Sequence, residues 1–204
     1  MMHWKLSTLL FLFCALITNA QEFDILIKNG HVIDAKNGID KVSDVAIKDG
    51  KIVEVASSIA VSKAKRVIDV KGLYVAPGLL DIHSHNFHGT EADAYLSNSY
   101  SALPPDGFTF EHGVTTTVDV GGAGWRNFKQ FKDQVIDRSK TRVLSFLNIV
   151  GSGMKGGAIE QNLADMDSRL TAMVAKQYPE YVVGVKLAHF SGHDWTPTER
   201  AVEA

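Results

Sequence analysis

The chain is almost without cysteine: of its 204 residues only Cys14 carries a thiol, and it sits in a greasy amino-terminal stretch. If that stretch is removed, no disulfide, thiolate metal ligand or cysteine nucleophile is left, and chemistry falls to His, Lys, Asp, Glu and hydroxyls. Charge of one sign is lacking as well. The 21 Lys+Arg face 23 Asp+Glu, for a formal net charge of −2, so the cationic footprint of a nucleic-acid binder is absent. Only 5 residues are proline, while 45% are hydrophobic and 22% charged, which excludes a disordered or collagen-like chain. Long apolar runs are missing too. Leu9–Ile17 spans nine residues, about half of the roughly 20 that a membrane-crossing helix needs.

That short run has its own reading. Lys5 precedes it and Thr18, Asn19 and Ala20 follow it, the order of a secretory signal peptide cleaved after Ala20. Phe13 before Cys14 argues against a lipoprotein. The expectation is an exported protein, periplasmic or secreted, with no stable membrane anchor after cleavage.

The region from Phe23 to Val75 reads as short strands. Asn29-Gly30 and Asp49-Gly50 each predict a turn between two strands, and Arg66–Val70 predicts one more. After Pro77-Gly78 the rhythm becomes α/β. Apolar strand runs start near Leu79, Val114, Val143 and Val182, roughly 30–40 residues apart, as parallel βα units require. Leu163, Met166, Leu170, Met173 and Val174 predict one amphipathic helix with its methionines in the core. Thr196-Pro197-Thr198-Glu199 predicts a helix start with Thr196 as N-cap and Glu199 closing a capping box.

Two placements carry chemistry. His83 and His85 lie two apart at the end of a strand, so alternation sends both imidazoles to one face, a geometry suited to a divalent metal. Asp81, two residues deeper, is placed to orient one of them. Solvated histidines are the alternative reading of a lone His-x-His. Lys186 ends the apolar strand Val182–Val185, where an inward ammonium is costly. Its head reaches solvent, or its amine is carboxylated by CO2 to a carbamate that bridges two metals. His189 is a candidate substrate contact and His193 a loop neighbour, while His88 and His112 read as structural. Asp119 and the Gly121–Gly124 loop sit at the end of the second strand, where the glycines read as permitting a tight turn. Gly151–Gly157 lacks the Gly-Lys-Ser/Thr ending of a phosphate loop and reads as a rim loop.

The phrase Pro77-Gly78-Leu79-Leu80-Asp81-Ile82-His83-Ser84-His85 resembles the first-strand motif of the amidohydrolase superfamily. His112–Asp119 resembles its second strand and Val183–Lys186 its fourth. The β region before them resembles its small β-sandwich, and the whole is most similar to the dihydroorotase-like deacetylase metallohydrolases. The resemblance implies a TIM (β/α)8-type barrel, with a leader at 1–20, part of the β-sandwich at 21–76 and the first four βα units at 77–204. It implies two divalent metals, usually zinc, held by His83, His85 and N6-carboxylated Lys186, with a metal-activated hydroxide attacking an amide or cyclic amide. Two further histidines and a general-base aspartate are expected beyond residue 204, since a whole barrel takes about 250 residues. On this reading the 204 residues alone turn over no substrate efficiently and fold poorly. The expected partner is a small-molecule amide, with no nucleic acid; a homo-oligomer is compatible. A catalytically silent barrel serving as a binding scaffold is the competing reading.

Overall fold

A computed structural model describes residues 21–88 and 102–204. The expected leader and residues 89–101 of the first crossover between barrel strands lie outside the described residues. The described residues divide into two compact units between Pro77 and Gly78.

The first unit is a mixed sheet of β1 (Phe23–Asp34), β2 (Ile39–Lys48), β3 (Lys51–Ala56), β4 (Ala64–Asp69) and β5 (Tyr74–Val75). The order is β3-β2-β1-β4, with β5 also paired to β1. Asp49-Gly50 turns β2 into β3 with φ of 50° and 71°, the two left-handed residues of a type I′ hairpin. Asn29-Gly30 does not turn. β1 runs straight through it, with a register break between Ile27 and Gly30 against β2 and Asn29 at φ 63°. The pair is a bulge, because β2 is long enough to pair both halves of β1. Gly30 is needed there for space: a Cβ would come within 2.5 Å of Val75 Cγ2.

A buried ion pair locks this bulge. Asp44, 1% exposed, pairs with the Lys28 ammonium and accepts N–H bonds from Asn29 at 2.9 Å and Ile59 at 2.7 Å. Burial opposes its charge, but Lys28 and the two amides outweigh that cost and hold the carboxyl below the usual range. Its stabilisation is therefore present above pH 3.8 and is lost as pH falls through the depressed value. Asp44→Ala is expected to cost about 3–5 kcal/mol near neutral pH. Urea titrations should show that gap narrowing in acid, as the wild type itself protonates.

The second unit is built on β6 (Leu79–Ser84), β7 (Val114–Gly124), β8 (Arg142–Asn148) and β9 (Val182–Lys186), with α1 (Phe128–Gln134), α2 (Ser168–Gln177) and α3 (Thr196–Glu203). All three strand pairs are parallel and the order β6-β7-β8-β9 follows the chain without reversal. Every strand therefore ends on the same rim, where active sites of such units assemble. Phe87, Phe128, Phe131 and Leu147, all 0% exposed, anchor the core between sheet and α1. The edge strand β6 leaves Leu80 and Ile82 at 64% and 68% exposure. No described helix is long and apolar enough to cross a membrane.

Three local expectations are corrected here. The helix predicted from Leu163 begins at Ser168, because Asp167 caps it by accepting Leu170 N–H at 2.9 Å. Leu163–Asp165 is a separate turn, so Met166 is buried while Met173 is 64% exposed. Thr196 is not the N-cap of α3: Trp195 holds that position without a side-chain bond. Asp194 does the capping work instead, accepting the Thr196 N–H at 2.8 Å and its hydroxyl at 2.6 Å. Gly121–Gly124 is not a loop beyond the strand but the last stretch of β7, with a register break between Val120 and Gly124 against β8.

Candidate metal centre

His83 and His85 stand at the carboxyl end of β6 with ring centroids 5.8 Å apart and planes at 83°. Ser84 between them faces the other way. Its hydroxyl bonds the Thr117 hydroxyl and donates to the Val118 carbonyl at 3.0 Å, fixing the strand so that both imidazoles share one face. Asp81 does not reach a ring; its carboxylate accepts the main-chain N–H of His83 at 3.0 Å. The expected orienting contact is thus made to the backbone.

Lys186 ends β9 with its Cα opposite Asn148 of β8, and its carbonyl accepts Ile149 N–H at 2.9 Å. Gly121, at φ 89°, leaves room for its stem: a Cβ there would lie 2.5 Å from Lys186 Cγ. Asn148 closes that side, donating to the Gly121 carbonyl at 3.0 Å and accepting Val150 N–H at 2.9 Å. Gly121 was legible only as a turn glycine and Asn148 not at all, although a polar residue ending the apolar Val143–Leu147 run was the available signal.

His85 is the electrostatic centre of the group. Burial, then the positive fields of His83, Lys186 and His189, push its imidazole below the usual range. His83, Lys186 and His189 thus all lie near enough to bear on His85. The Nδ1 of His85 is buried with no hydrogen-bond partner, a costly state for a ring nitrogen. A lone pair stranded among neutral or cationic donors fits a metal ion. Among the described residues no cluster of three His, Cys, Asp or Glu forms, so Lys186 must be counted to make a third donor.

The histidines set aside as structural each bond a local carbonyl: His88 Nδ1 to Asn86 O and His112 Nδ1 to Phe108 O, both at 2.8 Å. Asp119 is 0% exposed and accepts N–H bonds from Asn86 at 2.6 Å, Phe87 at 3.3 Å and Gly122 at 2.6 Å. It ties the segment after His85 to the end of β7. The Gly151–Gly157 loop lies over that end, Met154 N–H donating to Gly121 O at 2.9 Å. His193 is exposed and lines a cleft with His189.

No family model matches the chain. A deacetylase of Enterococcus faecalis is 34% identical over 169 residues, 81% of this chain and 41% of that protein. A solved structure described as an adenine deaminase superposes with a TM-score of 0.73 at 31% identity, covering 89% of this chain and 46% of the other. A dihydroorotase structure gives 0.72 at 26%, covering 87% and 47%. The chain spans 36, 39 and 41% of the length of three curated deacetylases that it matches. Sequence and fold agree over most of the chain, and on that ground this chain belongs to the amidohydrolase superfamily.

Proposed function

We propose that the whole protein is an exported, metal-dependent hydrolase of non-peptide carbon–nitrogen bonds, a deacetylase or cyclic amidase, and that this chain supplies its first metal ligands. The observation that carries the reading is the buried, unpartnered Nδ1 of His85 beside His83 and Lys186 at the common strand rim. His83 and His85 would hold one ion, and Lys186, as the carbamate, would join it to a second. When bound, the metal pair supplies a hydroxide nucleophile and polarises the carbonyl under attack. The chain's own residues do the positioning. Ser84 keeps the two imidazoles on one face, Gly121 and Asn148 shape the space for the Lys186 stem, and Asp119 holds the backbone that leaves the histidine pair. The relatives named deacetylase and dihydroorotase support amide or cyclic amide bonds as the substrate class.

The full-length protein, purified without chelator, is expected to hold two divalent ions per chain by elemental analysis. It should hydrolyse members of a panel of N-acetylated amino acids and cyclic amides. Absence of bound metal, or amidase activity indifferent to its removal, would overturn the reading.

A further inference from the structure

The sequence holds two Asn-Gly pairs, Asn29-Gly30 and Asn37-Gly38, and the fold treats them oppositely. A glycine after asparagine leaves its own amide nitrogen free to approach the asparagine Cγ, because no Cβ stands in the way. Whether the approach happens depends on how firmly the chain holds both groups.

Asn29-Gly30 is held. The Asn29 main-chain N–H donates to Asp44 at 2.9 Å and its side-chain amide to Asp69 at 3.0 Å. Gly30 is buried, paired with Ser43 of β2 and crowded by Val75 and Val70. Asn37-Gly38 is exposed. It closes the connection from β1 to β2, a single 3₁₀ turn over Ala35–Asn37 that ends at Gly38 with φ 65°. A Cβ on Gly38 would find nothing within 4 Å. The Gly38 N–H reaches the Ala35 carbonyl at 3.4 Å, longer than an ordinary bond of this kind. The Asn37 side chain meets Asp34, whose carboxylate accepts Nδ2–H at 2.5 Å. That donor, ahead of the other contacts, holds the Asp34 carboxyl below the usual range. Both residues line the lip of an apolar cleft of about 490 Å³ walled by Val32, Val45, Ile52 and Val55.

We propose that Asn37 is a self-modifying site, at which the Gly38 nitrogen displaces the side-chain amide and water then leaves aspartate or isoaspartate. The Gly38 nitrogen gives its proton to hydroxide and bonds to Cγ. The Cγ–Nδ2 bond breaks, and Nδ2 leaves as ammonia with a proton from water. A second water opens the cyclic imide at either carbonyl. The net exchange is one water taken up for one ammonia released, with no oxidant or cofactor, and it is independent of the amidohydrolase reading. A donor facing Asp34 thereby becomes a second carboxylate on the cleft lip. The isoaspartate form also adds a main-chain carbon between Asp34 and Ile39, which pair across the two strands.

Full-length wild-type protein, aged at neutral pH and digested in acid for peptide mass mapping, should gain acid at position 37 as both isomers, at a rate that rises with hydroxide. Asn29 should convert about tenfold more slowly or slower still, since freeing it breaks its bonds to Asp44 and Asp69, each worth about 0.5–1.5 kcal/mol. In urea-unfolded chain the two should convert alike. An unconverted Asn37, equal rates in the folded protein, or a preference that persists in urea would overturn the proposal. Asn37→Asp carries the aspartate form from the start. Carboxyl ¹³C NMR should find Asp34 titrating at higher pH there than in wild type, a donor having given way to a like charge. An unchanged Asp34 titration would overturn the stated consequence of the modification.

Discussion

Lys186→Ala in the full-length enzyme is expected to lower kcat/KM by about a thousandfold or more and to deprive the protein of at least one metal ion. The reason lies in the charges that the fold gathers. Two imidazoles and an ammonium converge at the rim, and no described carboxylate joins them in a cluster. As a cation, Lys186 adds to the field that weighs on His85. As a carbamate it would become an anion at the same place and would turn that repulsion into attraction for divalent ions. Losing the joining ligand should remove several kcal/mol of charge stabilisation, and each 1.36 kcal/mol is about tenfold in rate.

Elemental analysis separates this from a folding defect. The variant should melt near the temperature of metal-stripped wild type, because Lys186 sits at a strand end and its backbone partners are unaffected. Acetate or propionate should restore part of the activity by placing a carboxylate where the carbamate would stand. Reloading of metal-stripped wild type should be faster with bicarbonate than without. Gly121→Ala offers a milder version, since its methyl would press on Lys186 Cγ at 2.5 Å in a backbone conformation that suits glycine. A Lys186→Ala enzyme that keeps full activity and metal would sink the assignment.

What could be read in advance follows a physical division. Side-chain alternation and strand spacing are local, so the His83/His85 face, the four strand starts and the polar end of β9 were legible. The family resemblance rested on those same stretches. Choices settled by distant partners were not legible. Asn29-Gly30 has turn chemistry, but a turn or a bulge is decided by whether β2 continues alongside. Thr196 has the residue type of an N-cap, yet Asp194 two residues earlier takes that work. The 3–4 spacing from Leu163 onward is helical in pattern, but Asp167 and the bridge between Val150 and Met166 set the boundary inside it. Glu160 shows the limit most sharply: it is buried, and its carboxylate lies 2.6 Å from the Nδ1 of His189, on another loop.

Asp119 was set aside together with the glycines that follow it, and it carries the second large expectation. Asp119→Ala should cost about 4 kcal/mol or more, because it strands the buried N–H groups of Asn86, Phe87 and Gly122, each worth about 1–3 kcal/mol when unsatisfied. Gly122 shows how closely these groups gather: a Cβ there would lie 2.8 Å from the Asp119 oxygens.

Asp119→Asn gives the pH test. Burial pushes the carboxyl up from 3.8 to about 6, while the backbone amides of Asn86, Gly122, Phe87 and Gly121 pull it down. With the folded value raised, the contribution to stability is full below the unfolded value and is lost as pH rises through about 6. The change amounts to about 3 kcal/mol. The variant lacks this titration but sets an NH2 group against N–H donors, so it should be the less stable form near pH 4 and recover relative to wild type by pH 7. Carboxyls held low by surface partners, such as Asp106 and Asp133, titrate in both proteins and cancel in the difference. Urea midpoints at several pH values between 4 and 7 measure it directly. A gap that widens with pH would mean that the amides outweigh burial and that Asp119 is a held anion. The segment leaving His85 would then be fastened by charge as well as by shape.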